Sequence, residues 1–500
     1  MFIPKLILGG FQVLQKIKSL FGAQDMTVGK PMTNIVKFAL PLLIGNIAQQ
    51  LYSTVDSIVV GKYCSVERNG YNGVDALAAI GASMPVINLL LVLFIAISTG
   101  AGIMVAQYFG AREKQRLSHC IGTSVTLVAM ASILIMIVGI PFSGPLLELI
   151  KTPANYMQPA KDYLVISFIG ILGSGFYNII SGILRGLGDS FYPLVFLVVA
   201  ALTNIVLDIL FVAGMNMGVS GAAWATIISQ AISAVLCIVR LCKMKDIITV
   251  NRKSLTPDVK MGLQVIRLGV PSGITQAVFS LAMVFVQSLT NQMCYVLPSG
   301  EISYFVPALS IAVMRVDGFA MMPNFTFGLA ISTYIGQNLG AKRMDRVQPG
   351  INACLRLGCI VSAALVIELL FFGKNLIGLF VNAETTDPSI YEMVIGQGGR
   401  ALRILAAGYF AMVFTQVFGG VLRAAGDTVS SMIISMITTV ALRVPLAYLL
   451  ASLTKSEIWP YGHPDALFIS LLSSWVIGAV LTYLWYRRGK WKEMDLINRQ

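Results

Sequence analysis

The sequence predicts an all-α polytopic membrane protein: twelve transmembrane helices in two pseudo-symmetric six-helix bundles around a central cleft. Three observations predict it. The 500 residues are 56% hydrophobic and only 12% charged, with a mean hydropathy of +0.78, whereas soluble domains carry about 25% charge. Apolar stretches long enough to cross a bilayer as helix, roughly 20 residues each, recur from Asn34 to the end. Three sequence markers recur at a nearly constant offset and so relate the two halves.

Taken in order, residues 1–31 form an N-terminal segment whose stretch from Phe2 to Phe21 sets Lys5, Lys16 and Lys18 among Leu, Ile and Val. It has no small-residue cleavage site after a compact apolar core, and it is expected to lie along the cytoplasmic membrane surface. Residues 32–241 are the first bundle, 242–261 a cytoplasmic linker, 262–487 the second bundle and 488–500 a cytoplasmic tail. The longest polar interval, Arg240 to Lys260, is too short to bury a core of its own. Function is therefore expected inside the membrane.

The formal charge of +13 comes from residues scattered over loops, which argues against nucleic acid as a partner and reads as topology. Arg112, Lys114 and Arg116 follow the second span, Arg240, Lys243, Lys245, Arg252, Lys253 and Lys260 the sixth, and Lys342, Arg343 and Arg346 the eighth. Arg487, Arg488, Lys490 and Lys492 follow the last, while alternate loops hold Glu301, Glu384 and Asp387. Both termini are expected to be cytoplasmic and the chain to be multi-pass in the inner membrane. The seven Cys show no CxxC pair and read as free thiols.

The repeat is explicit. Pro41 in FALPLLIGN and Pro271 in LGVPSGITQ stand 230 residues apart, as do VAQYFGAR, ending at Arg112, and IGQNLGAK, ending at Lys342. LRGLGDS (Leu184 to Ser190) matches LRAAGDT (Leu422 to Thr428) at an offset of 238. An even number of spans per half gives both the same orientation, with a pseudo-two-fold along the membrane normal. The prolines remove a backbone hydrogen bond and bend their spans, so Pro41 is a candidate hinge. The G-A-R and G-A-K ends read as glycine terminators followed by a cation. Arg185, Arg423, Asp189 and Asp427 of the LR..GD turns read as folding and orientation residues.

Acids at mid-membrane depth carry the chemistry, because each is costly unless neutralised, paired or facing water. Asp56 lies in the first span, with Gln49 and Tyr52 on its helical face, and Asp208 lies in the fifth, one turn after Asn204. In the sixth span Thr226 shares a face with Ala222 and Gln230. Asp56 could alternatively be a protonated packing residue bonded to Tyr52. Two acids with an amide and a hydroxyl instead suit a hard cation. If the carboxylates come within about 5 Å, their repulsion at an effective dielectric near 20 is roughly 3 kcal/mol, so one holds a proton or both share a cation. By the offsets above, Asp56 aligns with Val286, Asn204 with Leu442 and Asp208 with Leu446, so coupling is expected in the first half alone. Asp317 is the main deep acid of the second half; at i, i+2 it lies on a different face from Arg315, and it is either a cargo contact or a paired structural acid.

The ordered set PLLIGNIAQQLYSTVDSIVVGK, the GAR and IGQNLGAK ends, LRGLGDS with NIVLDILF, GVSGAAWAT and RVDGFAMMPNFTFGLA resembles the multidrug and toxic compound extrusion (MATE) family, from about Met32 to Arg488. NIVLD is similar to its DinF-like branch. That resemblance implies a proton or sodium site at Asp56, Asn204, Asp208 and Thr226, with the Ala222 carbonyl as a further ligand. Tyr52, Tyr163 and Asn178 would complete the polar network with Gln49. The tenth span, ILAAGYFAMVFTQVFGG, lacks the acid of the NorM-like branch, and CSVERNGYN and CYVLPSGEI lengthen two outward loops.

The expected function is a monomeric secondary antiporter that exports amphipathic, cationic small molecules in exchange for H+ or Na+ by alternating access, with no cofactor beyond that ion. Met321, Met322, Phe325, Phe327, Met412 and Phe414 are candidates for the cargo cleft, and each also reads as helix packing. A flippase for a lipid-linked precursor is the alternative; it needs a basic cleft, and Arg315 and Arg443 are the few mid-span cations. An enzyme is not expected: His119 and His463 sit at span ends outside any nucleophile or metal motif.

Overall fold

The computed structural model describes residues 22–150, 152–248, 256, 258–297, 300–381, 388–494 and 496. The expected surface segment Phe2 to Phe21 lies outside them, as do Arg252, Lys253, Glu384 and Asp387. Among the described residues eleven helices are long and apolar enough to cross a bilayer, and one bent pair makes a twelfth. They are α1 Pro31–Tyr63, α2 Gly73–Gly110, α3 Lys114–Leu149, α4 Ala154–Gly186, α5 Phe191–Gly214 and α6 Gly218–Lys243. The series continues with α7 Val259–Gln292, α8 Val306–Gly340, α9 Met344–Gly378, α10 (Pro388–Ala406 and Gly408–Ala425, bent by 44°), α11 Thr428–Leu453 and α12 Asp465–Arg487. Their outer faces, for example Leu89, Ile137, Phe371 and Val480, stay exposed and apolar, as lipid-facing surfaces require.

Two compact units form: Met1–Gly273 with Gly336–Met344, and Ile274–Ile335 with Asp345–Arg499. In the first, α2 packs on α4 and α4 on α6, where small residues allow close approach. A methyl group at Gly182, for instance, would meet Ser98 Oγ at 2.2 Å. Ile80, Leu164, Val212 and Val219 lie in the core of that unit. In the second, the later segment of α10 packs on α12 around Val313, Leu402, Tyr409 and Leu471.

The repeated helix ends meet within the first unit. A methyl at Gly110 would lie 2.0 Å from the Gln337 carbonyl oxygen, and one at Gly340 would lie 1.9 Å from that of Gln107. Both helices end at these glycines, as expected, and the absence of a side chain there also permits this reciprocal approach. The left-handed residues are the cations themselves, Arg112 (φ 60°) and Lys342 (φ 56°). Behind them, Glu113 N–H donates to Tyr108 O at 3.1 Å and Arg343 N–H to Asn338 O at 2.8 Å, closing both helices in the same way.

A short strap lies on these ends. Gln24 N–H donates to Gly188 O (3.1 Å), Met26 N–H to Gln337 Oε1 (2.9 Å) and Asn338 Nδ2 to Met26 O (3.2 Å). Asp25 accepts from the Thr27 hydroxyl at 2.5 Å and pairs with Arg112. Burial alone would raise the Asp25 carboxyl, but the Thr27 bonds and Arg112 together hold it below the usual carboxylate value.

Described residues of both lengthened loops make contacts within their own units. After α1, the turn Val66–Asn69 leads to Tyr71, whose hydroxyl accepts from Val219 N–H at 2.9 Å, while Asn69 Nδ2 donates to Asn216 O. After α7, β1 (Tyr295–Val296) pairs antiparallel with β2 (Ile302–Ser303), and the Tyr295 ring packs tilted against Trp459 with centroids 4.8 Å apart. The first loop thus reaches the start of α6, and the second reaches the connection that leads into α12. The LR..GD turns carry left-handed Gly188 and Gly426. Asp189 pairs with Arg240 at 2.8 Å, and Asp427 caps α11 by accepting from Ser430 N–H at 3.3 Å.

Candidate functional site

The first unit brings Asp56 of α1 and Asp208 of α5 side by side, close enough for the two carboxyls to share a proton. Asp208 is fully buried. No hydrogen-bond donor reaches either Asp208 oxygen or Asp56 Oδ1. Tyr52, one turn before Asp56, and Tyr163 of α4 lie within electrostatic reach of both acids. Asn204, one turn before Asp208, extends Nδ2 to Thr226 Oγ1 of α6 at 3.5 Å, and its own Oδ1 has no donor. Ala222 is fully buried one turn before Thr226. Two carboxylates, an amide oxygen and a hydroxyl therefore converge with lone pairs unused, a donor set matched to a proton or a hard cation. Asp208 also abuts a π-helical stretch, Ile209–Gly214, a distortion frequent at functional sites.

A cavity of about 300 Å³ opens beside this cluster within the first unit. Tyr52 and Asn204 line it, and the acids lie one turn beyond them. Pro41 and Gln49 line the same cavity. Asn178 lines it too but is engaged with its own helix, donating to Ser174 O at 2.8 Å, and does not join the acids. Arg185 also lines the cavity, and no ion pair among the described residues joins it to a carboxylate.

In the second unit Asp317 is buried and accepts from the Tyr409 hydroxyl at 2.8 Å, while Arg315 is exposed. A cavity of about 610 Å³ includes Asp317, Met321, Phe325 and Met412 in its lining. Met322, Phe327 and Phe414 are not part of that lining; Phe414 stacks on Phe418 instead. Two further residues bear on this site: Tyr409, which the sequence did not single out, as partner of Asp317, and Arg443, named from sequence only as a mid-span cation, which is buried in the wall. A mid-span arginine was a visible signal; its placement beside Asp317 was not.

The MatE family model matches the chain twice, over residues 41–210 and 271–449, so that each match begins at one of the paired prolines. This chain belongs to the MATE family. Its relatives include "Probable multidrug resistance protein YpnP" of Bacillus subtilis, 29% identical over 96% of this chain and 100% of the relative. "Probable multidrug resistance protein YoeA" of the same organism is 28% identical over 90% and 93%. "Probable multidrug resistance protein NorM" of Thermotoga maritima is 25% identical over 93% and 94%. The fold matches an outward-facing MATE transporter of the MOP superfamily with a TM-score of 0.82, at 22% identity, over 94% of this chain and 99% of that one. The chain is thus a multi-pass transporter of the multidrug efflux type.

Proposed function

We propose that this transporter is a DinF-like antiporter in which Asp56, Asn204, Asp208 and Thr226 bind the coupling H+ or Na+ while an amphipathic small molecule is exported. The observation that carries this reading is the pair of adjoining carboxyls, three of whose four oxygens are buried with no hydrogen-bond donor. Two ionised acids about 5 Å apart would repel by roughly 3 kcal/mol at an effective dielectric of 20, so a bound cation stabilises the conformer that holds them together. Releasing the cation frees the repulsion to drive α1 and α5 apart, with Pro41 as the point where α1 bends. Tyr52 and Asn204 line the cavity and flank the acids, so cargo and ion compete through the same helices.

The driving force is sufficient. One cation moving down 100 mV yields about 2.3 kcal/mol and a tenfold gradient about 1.4 more, enough for a several-hundred-fold gradient of neutral cargo. The protein works as a single chain in the inner membrane with both termini cytoplasmic, following its loop cations.

The test is dye efflux from proteoliposomes under separately imposed sodium and pH gradients, for the unaltered protein, Asp56→Asn and Asp208→Asn. Efflux driven by one gradient and lost in both folded variants supports the reading and names the ion. Coupled efflux that survives both substitutions removes the ion site.

A further inference from the structure

The cavity of about 610 Å³ in the second unit is not used by the ion site. Its volume is that of a pocket for a drug-sized molecule. Much of its apolar wall is Met283, Met314, Met321, Met412 and Phe279, adaptable surface for an apolar body. Two opposite charges interrupt that wall, Asp317 of α8 and Arg443 of α11.

Arg443 is only 2% exposed. It sits where the π-helical stretch Ile437–Leu442 returns to α-helix, so the span is locally rewound at this side chain. Its Nη1 and Nη2 each reach only the Met283 sulfur, at 3.8 Å, and its Nε has no partner. A thioether is a weak acceptor, and a buried guanidinium presents five donors. No ion pair among the described residues joins Arg443 to a carboxylate. Asp317 lies within electrostatic reach of Arg443, yet its one hydrogen bond comes from Tyr409. Structural ion pairs in membranes close on each other because isolated charge is costly there. This pair stays apart with a cavity between apolar walls at its disposal.

We propose that this cavity binds an amphipathic zwitterion, with its carboxylate on Arg443, its ammonium group on Asp317 and its apolar body against the methionines. The inference builds on the exporter reading by narrowing the cargo class; the cationic cargo expected from sequence must also carry an anionic group. Arg443 supplies a fork of donors that matches a carboxylate, and Asp317 excludes a second anion from the other end.

Equilibrium dialysis of the full chain in lipid nanodiscs tests it without any ion gradient, so its outcome is independent of the coupling reading. Three matched probes suffice: 2-naphthylalanine, its N-acetyl derivative and its methyl ester, which at about pH 6 are predominantly zwitterion, anion and cation. The zwitterion is expected to bind about tenfold more tightly than either relative. Arg443→Gln should weaken the zwitterion and the anion by about tenfold and leave the ester unchanged, with Arg443→Lys restoring part of the loss. Asp317→Asn should weaken the zwitterion and the ester and spare the anion. Equal binding of all three probes to the unaltered protein overturns the proposal whatever the variants do. So does a uniform loss of all three in Arg443→Gln, which would mark Arg443 as a packing residue.

Discussion

In the first unit, α1 and α5 set two acids against each other; in the second, the corresponding positions Val286 and Leu446 are apolar. There the charge of the span is Arg443, one residue past the counterpart of Asn204, and an acid from α8 faces the same cavity. The two halves keep their helix ends nearly identical: left-handed Arg112 and Lys342, and close-packed Gly110 and Gly340. The repeat therefore conserves what fixes the backbone and changes what faces the cavities. Like charges suit a site that must take up and release a cation. Unlike charges held apart suit a ligand that carries both signs.

The largest expected effect is on coupling. Asp208→Asn removes the repulsion that makes the first site responsive, and gradient-stimulated dye efflux should fall by about 100-fold, the kinetic equivalent of roughly 3 kcal/mol. Next, Val286→Asp copies the acid of the first unit into a buried position of the second. It should cost about 3 kcal/mol of stability in detergent unfolding, and a neutral result would mean that the second unit tolerates a coupling acid. Gly110→Ala and Gly340→Ala should each destabilise by about 1–3 kcal/mol and by equal amounts, since each methyl meets the other motif's glutamine carbonyl. Unequal melting shifts would break the symmetry inferred here. Tyr409→Phe strips the donor from Asp317 and should cost about 1 kcal/mol, again read by unfolding.

The smallest effect is a pH dependence at the strap. The folded protein holds Asp25 below its ordinary value, so its contribution is full above that value and is lost as pH falls through the lowered one. Unfolding measured from neutral to acid pH should show a slightly shallower acid loss in Asp25→Asn than in the unaltered chain.

The spans, their repeat and the acids of the first unit were legible in sequence because each rests on local pattern: apolar run length, constant offset, and polar residues spaced along one helical face. Tyr52 lies near Asp56 as that pattern suggested, while Tyr163, which only the resemblance to the family supplied, lies within electrostatic reach of both acids. Contacts between distant spans were not legible. The pairing of Asp317 with Tyr409 depends on how α8 packs on α10, 92 residues later. The mutual approach of Gly110 and Gly340 depends on two helix ends 230 positions apart meeting, so their position as helix ends was legible and the carbonyls packed against them were not. Met322 and Phe414 belong to the right helices, but a wide apolar stripe does not say which of its members faces a cavity and which packs against a neighbour.

The measurement that bears most directly on the contrast between the units is gradient-stimulated dye efflux in Asp208→Asn and Asp317→Asn side by side, expressed as the ratio of efflux with the gradient to efflux without it. That ratio separates coupling from any change in dye affinity. The ratio should collapse to one in Asp208→Asn and stay at the unaltered value in Asp317→Asn. A ratio that survives in Asp208→Asn and collapses in Asp317→Asn would place the coupling ion in the second unit and contradict the account.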